Sequence, residues 1–146
     1  MERSDLSKNY RSDLSKLGWI VYIPAMRREP YGVGSKVHVV KRGARGLPFL
    51  KDSADFHRML LLLAHFNDKN SRQFWYRELD DEKKVYTLER ASFWREKDPL
   101  TQIHAFCLHS NHFHLILEEI LEGGISLFMQ KIGNGIAGYV NEKYRE

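Results

Sequence analysis

Two β-rich segments, separated by only three polar residues, constrain the fold of this chain more than any other feature. The first segment covers residues 101–108 (TQIHAFCL) and the second covers residues 112–118 (HFHLILE), with His109, Ser110 and Asn111 between them. Apolar and β-branched runs on both sides of a tight polar turn are typical of a β-hairpin. The sequence therefore predicts two antiparallel strands joined by a short turn.

Further elements are predicted on both sides of the hairpin. Residues 36–42 (KVHVVKR) are β-rich and end at Gly43, which indicates an earlier strand. Asp52 or Ser53 caps a predicted helix that runs to about Asn67, with apolar residues at three- and four-residue spacing. A second apolar helix face is predicted from Ser126 to the end of the chain.

The order strand, helix, strand, strand, helix is most of a split βαβ unit. The sequence thus predicts an α+β fold: a ferredoxin-like antiparallel sheet with helices on one face, its last strand and helix missing. We expect an N-terminal arm over residues 1–18, which repeats the letters RSDLSK, and one domain over 19–146. Residues 68–99 are interpreted as an insertion with some strand around 85–87.

Composition narrows the class of protein. No apolar run approaches the ~18 residues that a membrane span needs. The single Cys107 excludes a disulfide framework and a Cys-based zinc finger, and with a polar N-terminus it favours a cytoplasmic protein. The net charge of +4 hints at a polyanionic partner. Basic residues are concentrated at positions 27–45. They form either a nucleic-acid contact or a solvated loop face.

The triplet His112-Phe113-His114 is the sharpest chemical signal. Side chains alternate along a strand, so the two histidines share one face, about 6.6 Å apart along the backbone, while Phe113 points into the core. Two imidazoles at this spacing can share a divalent ion if a third ligand comes from elsewhere. Two ordinary half-buried histidines explain the triplet as well.

The wider stretch 105–117 (AFCLHSNHFHLIL) resembles the signature of the single-tyrosine HUH transposases, of the REP-associated and insertion-sequence type. HUH denotes histidine, a bulky hydrophobe and histidine, here residues 112–114. Residues 37–43 look like the first strand of that family and 55–63 like its first helix. Residues 124–133 and 139–141 look like the helix after the HUH strand. The matches follow one another in order over about residues 30–146.

The resemblance implies DNA transposition: a metal-dependent endonuclease that cleaves and joins single-stranded or hairpin DNA through a tyrosine. It implies a Mg or Mn ion on His112 and His114, since hard ions suit phosphate. It also implies that Lys41, Arg42 and Arg45 contact phosphates. Trp75 and Trp94 have two alternative predicted roles: stacking on DNA bases or packing in the core.

The chain departs from the family pattern in two places. His109 and Ser110 stand where the family has Met-Pro, which adds a third imidazole as either a ligand or a turn residue. In the family a later helix carries the nucleophilic tyrosine and a third metal ligand, so the chain looks truncated and we expect that tyrosine beyond Glu146. Tyr139 is spaced with the apolar helix face as a core residue, and Tyr144 has no motif support either.

Two other functions remain open from the sequence. The same sheet could bind single-stranded nucleic acid without cutting it, or the domain could be a structural metal-binding unit. A missing last strand would leave a sheet edge exposed, which predicts pairing between two chains as a homodimer.

Overall fold

The structure is a computed structural model that describes residues 31–71, 88–90 and 92–145. The predicted arm over 1–18, the strand expected around 85–87 and Trp75 lie outside the described residues. The described residues belong to one compact unit, Tyr31–Glu146.

Three strands and two helices make up the described part of the chain, apart from a single 3-10 turn at Ala44–Gly46. Their bounds are β1 Lys36–Arg42, α1 Ser53–Phe66, β2 Thr101–Leu108, β3 His112–Glu119 and α2 Gly124–Tyr144. The predicted α+β class is confirmed. Neither of these two helices is long and apolar enough to cross a membrane.

The sheet has the order β1-β3-β2, and β3 pairs antiparallel with both neighbours. This order is compatible with the predicted ferredoxin-like arrangement. On β3, Phe113, Leu115 and Leu117 are buried against the helices. Because side chains alternate along a strand, His112 and His114 lie on the opposite face of the sheet.

The core lies between the sheet and the two helices. Helices α1 and α2 approach closely at Gly135, where a Cβ atom would come within 2.5 Å of the Phe66 ring. Buried apolar side chains come from all three strands or their flanks and from both helices. They include Val37, Leu50, Met59, Leu62, Leu100, Phe113, Leu115, Leu117, Phe128 and Ile132.

The two helices differ in where their N-terminal cap comes from: α1 is capped by a residue beside it in the sequence, and α2 by a residue of the preceding strand. Asp52, one of the two caps that the sequence predicts, caps α1 in a capping box with Asp55. Helix α2 begins at Gly124, two residues before the predicted Ser126. The carboxylate of Glu119, at the end of β3, accepts hydrogen bonds from the amides of Gly123 (2.6 Å) and Ile125 (2.9 Å). A negative charge at this end stabilises a helix, so the cap comes from the preceding strand.

The two ends of the predicted insertion are tied to the domain. Asn67 donates to the Thr101 carbonyl at 2.7 Å, which holds the end of α1 beside the start of β2. Asp68 is buried, forms an ion pair with Arg90 at 2.7 Å and accepts from the Asp98 amide at 3.2 Å. Trp94 packs against the core, so the structure uses this aromatic ring for packing.

A buried carboxylate joins the start of α1 to the end of α2. Asp55 accepts hydrogen bonds from the hydroxyls of Tyr139 (2.9 Å) and Tyr144 (2.6 Å) and from the Lys143 ammonium (2.6 Å). Burial alone would raise the pKa of this carboxyl, but these bonds and the Lys51 amide hold the pKa well below its usual range. Both phenol hydroxyls therefore bond within the layer formed by α1 and α2, here called the helical layer.

We expect Asp55→Ala to lower the free energy of unfolding by about 3 kcal/mol, because it leaves the Lys143 charge and two phenols without their acceptor. The folded-state pKa of Asp55 lies below the ordinary value of about 3.9. Its contribution is therefore present above about pH 4 and is lost as the pH falls through the lowered pKa. Urea denaturation over a range of pH values measures both effects.

Glu142→Ala is the matched control, since this exposed carboxylate lies on the same helix. It should change the free energy of unfolding by less than about 0.5 kcal/mol. Equal stability of the Asp55→Ala variant and the control would contradict the prediction.

Candidate metal centre

The candidate site lies on the sheet face opposite the helices, here called the open face. Val40 and Ile116 on this face are 48% and 43% exposed, so solvent reaches it. The strand registers bring together side chains from β1 and from β3. They are Lys36, His38, Val40 and Arg42 of β1 and His112, His114, Ile116 and Glu118 of β3.

Three imidazoles meet at one end of the open face. His109, His112 and His114, here called the histidine cluster, each offer a nitrogen, and the three atoms lie within 4.8 Å of one another. Alternation along β3 places two of them. His109 joins because its amide donates to the His112 carbonyl at 2.8 Å across the turn, and the two rings stack at 4.4 Å. The structure thus brings the turn histidine to the two predicted ligands.

Asn111 selects the tautomer of His112. The Nδ2 of Asn111 donates to the Gly46 carbonyl at 3.1 Å, which orients the amide. The Oδ1 atom then faces Nδ1 of His112 at 2.7 Å. An amide oxygen only accepts, so Nδ1 of His112 carries the proton and Nε2 carries the lone pair that a metal needs.

The electrostatic surroundings also favour a neutral His112. Partial desolvation lowers the pKa of this imidazole, and His109, His114 and Arg42 lower it further. The neutral ring is the form that coordinates a metal ion. The three neighbouring imidazoles of the histidine cluster can therefore hold a metal ion.

Two further side chains border the cluster. His38 of β1 places its Nε2 atom 2.9 Å from Nδ1 of His114, and their rings stack at 5.1 Å. Cys107 lies opposite His114 in the β2–β3 register, with its sulfur 3.3 Å from Nε2 of His109. Neither residue was predicted from the sequence to be part of the site. Alternation with the buried Val37 could have placed His38 on this face. For Cys107, the β2–β3 register places it opposite His114.

The three predicted phosphate contacts occupy different positions. Arg42 lies directly opposite His112 in the β1–β3 register and therefore shares the open face. Lys41 lies opposite Phe113, so its side chain leaves the strand on the other face. Arg45 lies in the 3-10 turn after β1, with a left-handed backbone φ of 55°.

The hairpin turn is held by the loop after β1. The Gly43 amide donates to the Asn111 carbonyl at 2.8 Å, and the Phe49 and Leu50 amides both donate to the Ser110 carbonyl at 2.9 Å. Gly43 has no room for a side chain, since a Cβ atom would lie 2.3 Å from the Leu47 carbonyl oxygen. These bonds fix the turn between β2 and β3.

The described tyrosines have their hydroxyls outside the open face. The Tyr31 hydroxyl lies 3.4 Å from the hydroxyl of Ser126 on α2, and the hydroxyls of Tyr139 and Tyr144 donate to Asp55. Burial and the Asp55 carboxylate raise the pKa of the Tyr139 phenol. The packing role predicted for Tyr139 agrees with this arrangement. The three hydroxyls therefore contact the helical layer.

Comparison of the chain with models of known protein families, with curated proteins and with solved structures finds no match.

We expect the protein to bind one divalent ion per chain through the histidine cluster. Isothermal titration should show tighter binding of Zn²⁺ than of Mn²⁺, because imidazole nitrogen suits zinc and manganese stands low in the divalent affinity order. The double variant His112→Ala/His114→Ala should lose the saturable heat, and His109→Ala should weaken it.

His104→Ala is the matched control. This histidine also lies on the sheet, but its Nε2 atom is paired with Glu118 at 2.7 Å. It should leave the titration unchanged. Equal heats from the double variant and the wild type would exclude the cluster as the metal site.

Proposed function

We propose that this protein binds a divalent metal ion and the phosphates of single-stranded DNA on the open face, as a DNA-processing domain of the single-tyrosine HUH transposase kind. The observation that carries the proposal is the histidine cluster with Arg42 beside it. The motif resemblance supplies the class of substrate, including the hairpin DNA that such enzymes recognise.

The donor set fits a metal ion. His112 offers Nε2, and His109 and His114 each offer one further nitrogen. A bound divalent ion would polarise a phosphate oxygen and offset its charge. The resemblance implies Mg or Mn. Three nitrogen donors fit Mn better, because Mg prefers oxygen ligands and keeps much of its water.

Arg42 supplies the positive charge for the DNA backbone. A guanidinium can bind a phosphate through two parallel hydrogen bonds, which adds orientation to affinity. Its register position opposite His112 puts this charge next to the metal ligands. The exposed side chains of Val40 and Ile116 on the same face offer apolar contact to the unstacked bases of a single strand.

Cleavage and joining form the second part of the proposal. Attack by a tyrosine would form a phosphotyrosine bond and release a DNA hydroxyl. Tyr139 and Tyr144 donate to Asp55, and Asp55 and burial raise their pKa values, so we assign them to stability. The nucleophile of the proposed reaction then comes from another segment.

A non-catalytic single-strand binding module is the second candidate function. It is favoured by the engagement of the three described tyrosine hydroxyls in the helical layer. A cytoplasmic location and a homodimer formed at an outer strand of the sheet stay predictions from the sequence.

The DNA-binding proposal is tested by two neighbouring residues of equal charge. Arg42→Ala should weaken binding to labelled single-stranded DNA in the presence of Mn²⁺, because it removes the charge beside the histidine cluster. It should reduce the slope of log K against log salt by about 0.7, the value of one phosphate contact. Fluorescence anisotropy at several salt concentrations measures both quantities.

Lys41→Ala is the control, since Lys41 lies on the opposite face of β1. It should reduce affinity less than Arg42→Ala, and its effect should not depend on Mn²⁺. Equal effects of the two variants with and without Mn²⁺ would contradict binding on the open face.

The role assigned to the two tyrosines gives a further prediction. Tyr139→Phe and Tyr144→Phe should lower stability but leave DNA binding and any DNA cleavage unchanged, because both hydroxyls act on Asp55. Incubation with labelled hairpin-flanked single-stranded DNA and Mn²⁺, followed by a denaturing gel, is the measurement. A covalent adduct that either substitution abolishes would overturn the assignment and make that tyrosine the nucleophile.

A further inference from the structure

We propose that His38 is a positioning residue that holds His114 in its Nδ1–H tautomer and so presents Nε2 of His114 to a metal ion. The inference rests on the metal site of the proposed function and deepens it. It concerns a residue of β1 that is distant in sequence from the His112-Phe113-His114 triplet.

The contact between the two rings allows two arrangements. Nε2 of His38 and Nδ1 of His114 lie 2.9 Å apart, so one proton lies between them. If His114 donates this proton, its Nε2 atom carries a lone pair and can bind a metal. If His38 donates instead, neutral His114 carries its proton on Nε2 and cannot bind through that atom.

Metal binding through Nε2 of His114 requires the arrangement in which His114 donates. Nδ1 of His114 is occupied by His38, so Nε2 is the nitrogen left for the histidine cluster. Asn111 imposes the same tautomer on His112 through its amide oxygen. Both histidines of β3 would then present Nε2, each with its other nitrogen held by an acceptor, which is the usual support of metal-binding histidines.

The fold places His38 for this role through strand register. His38 lies opposite Ile116 and therefore one diagonal step from His114. The register is secured by Val37, which is buried in the core, and by the Gly43 amide on the Asn111 carbonyl. A slip of one residue would turn His38 to the helix side, so its position depends on the packing of the whole sheet.

Two substitutions separate a hydrogen-bonding role from a packing role. His38→Gln keeps an acceptor that can reach Nδ1 of His114, whereas His38→Leu keeps apolar volume without one. We expect His38→Leu to weaken Zn²⁺ binding roughly 10–100-fold, the usual effect of losing such a partner, and His38→Gln to restore most of it. His104→Leu, on the same sheet, should leave the affinity for Zn²⁺ unchanged.

The tautomer itself provides a direct readout. Long-range ¹H–¹⁵N spectra of the metal-free protein at about pH 8.5, where imidazoles are neutral, report which nitrogen of His114 carries the proton. We expect Nδ1–H in the wild type and in His38→Gln, and a mixture of both tautomers in His38→Leu. Backbone amide spectra verify that each variant is folded.

The outcomes separate this inference from the proposed function. An Nε2–H tautomer of His114 in the metal-free wild type, or wild-type Zn²⁺ affinity in His38→Leu, would overturn the role of His38 and leave the metal site standing. Failure of the wild type to bind Zn²⁺ would overturn the metal site, and the role of His38 as its support would fall with it.

Discussion

The antiparallel pairing of β3 with β1 and β2 is the constraint on which the rest of this structure depends. As the central strand, β3 sends Phe113, Leu115 and Leu117 into the core and turns His112 and His114 outward. A one-residue slip in register would exchange these two sets, burying imidazoles and exposing the core. The energy that holds the fold therefore also holds the candidate ligands in place. The same strand pairing that forms the core thus positions the candidate metal ligands on the open face.

The two faces of the sheet carry different chemistry. On the helix side, the buried Asp55 gathers a lysine and two phenols and ties the ends of α1 and α2 together. On the open face, the imidazoles of the histidine cluster lie beside the Arg42 guanidinium and are accessible to solvent. The first arrangement suits stability, since its polar groups satisfy one another. The second suits binding, because it leaves lone pairs and a positive charge for an ion and a phosphate. This separation is why we propose that the described tyrosines stabilise the domain.

Much of the fold could be predicted from local patterns. The strand over 36–42, the helix capped by Asp52 and the hairpin each depend on signals within a few residues, and the structure has all three. The start of α2 was predicted two residues late because its cap, Glu119, comes from the preceding strand. His109 was left open between ligand and turn residue. In the structure, the pairing of Leu108 with Phe113 and the His109 amide on the His112 carbonyl leave Ser110 and Asn111 as the turn, and this places His109 beside His112.

The sequence by itself determined that His112 and His114 share one face, since alternation along a strand is a local property of the backbone. It also determined the order of the elements, and with it the α+β class. Only the tertiary structure decided which side chains meet that pair. His38 reaches His114 across 76 residues of chain, and Arg42 reaches His112 through the same register. Such contacts depend on how strands align once the core has packed, and no short window of sequence contains that alignment.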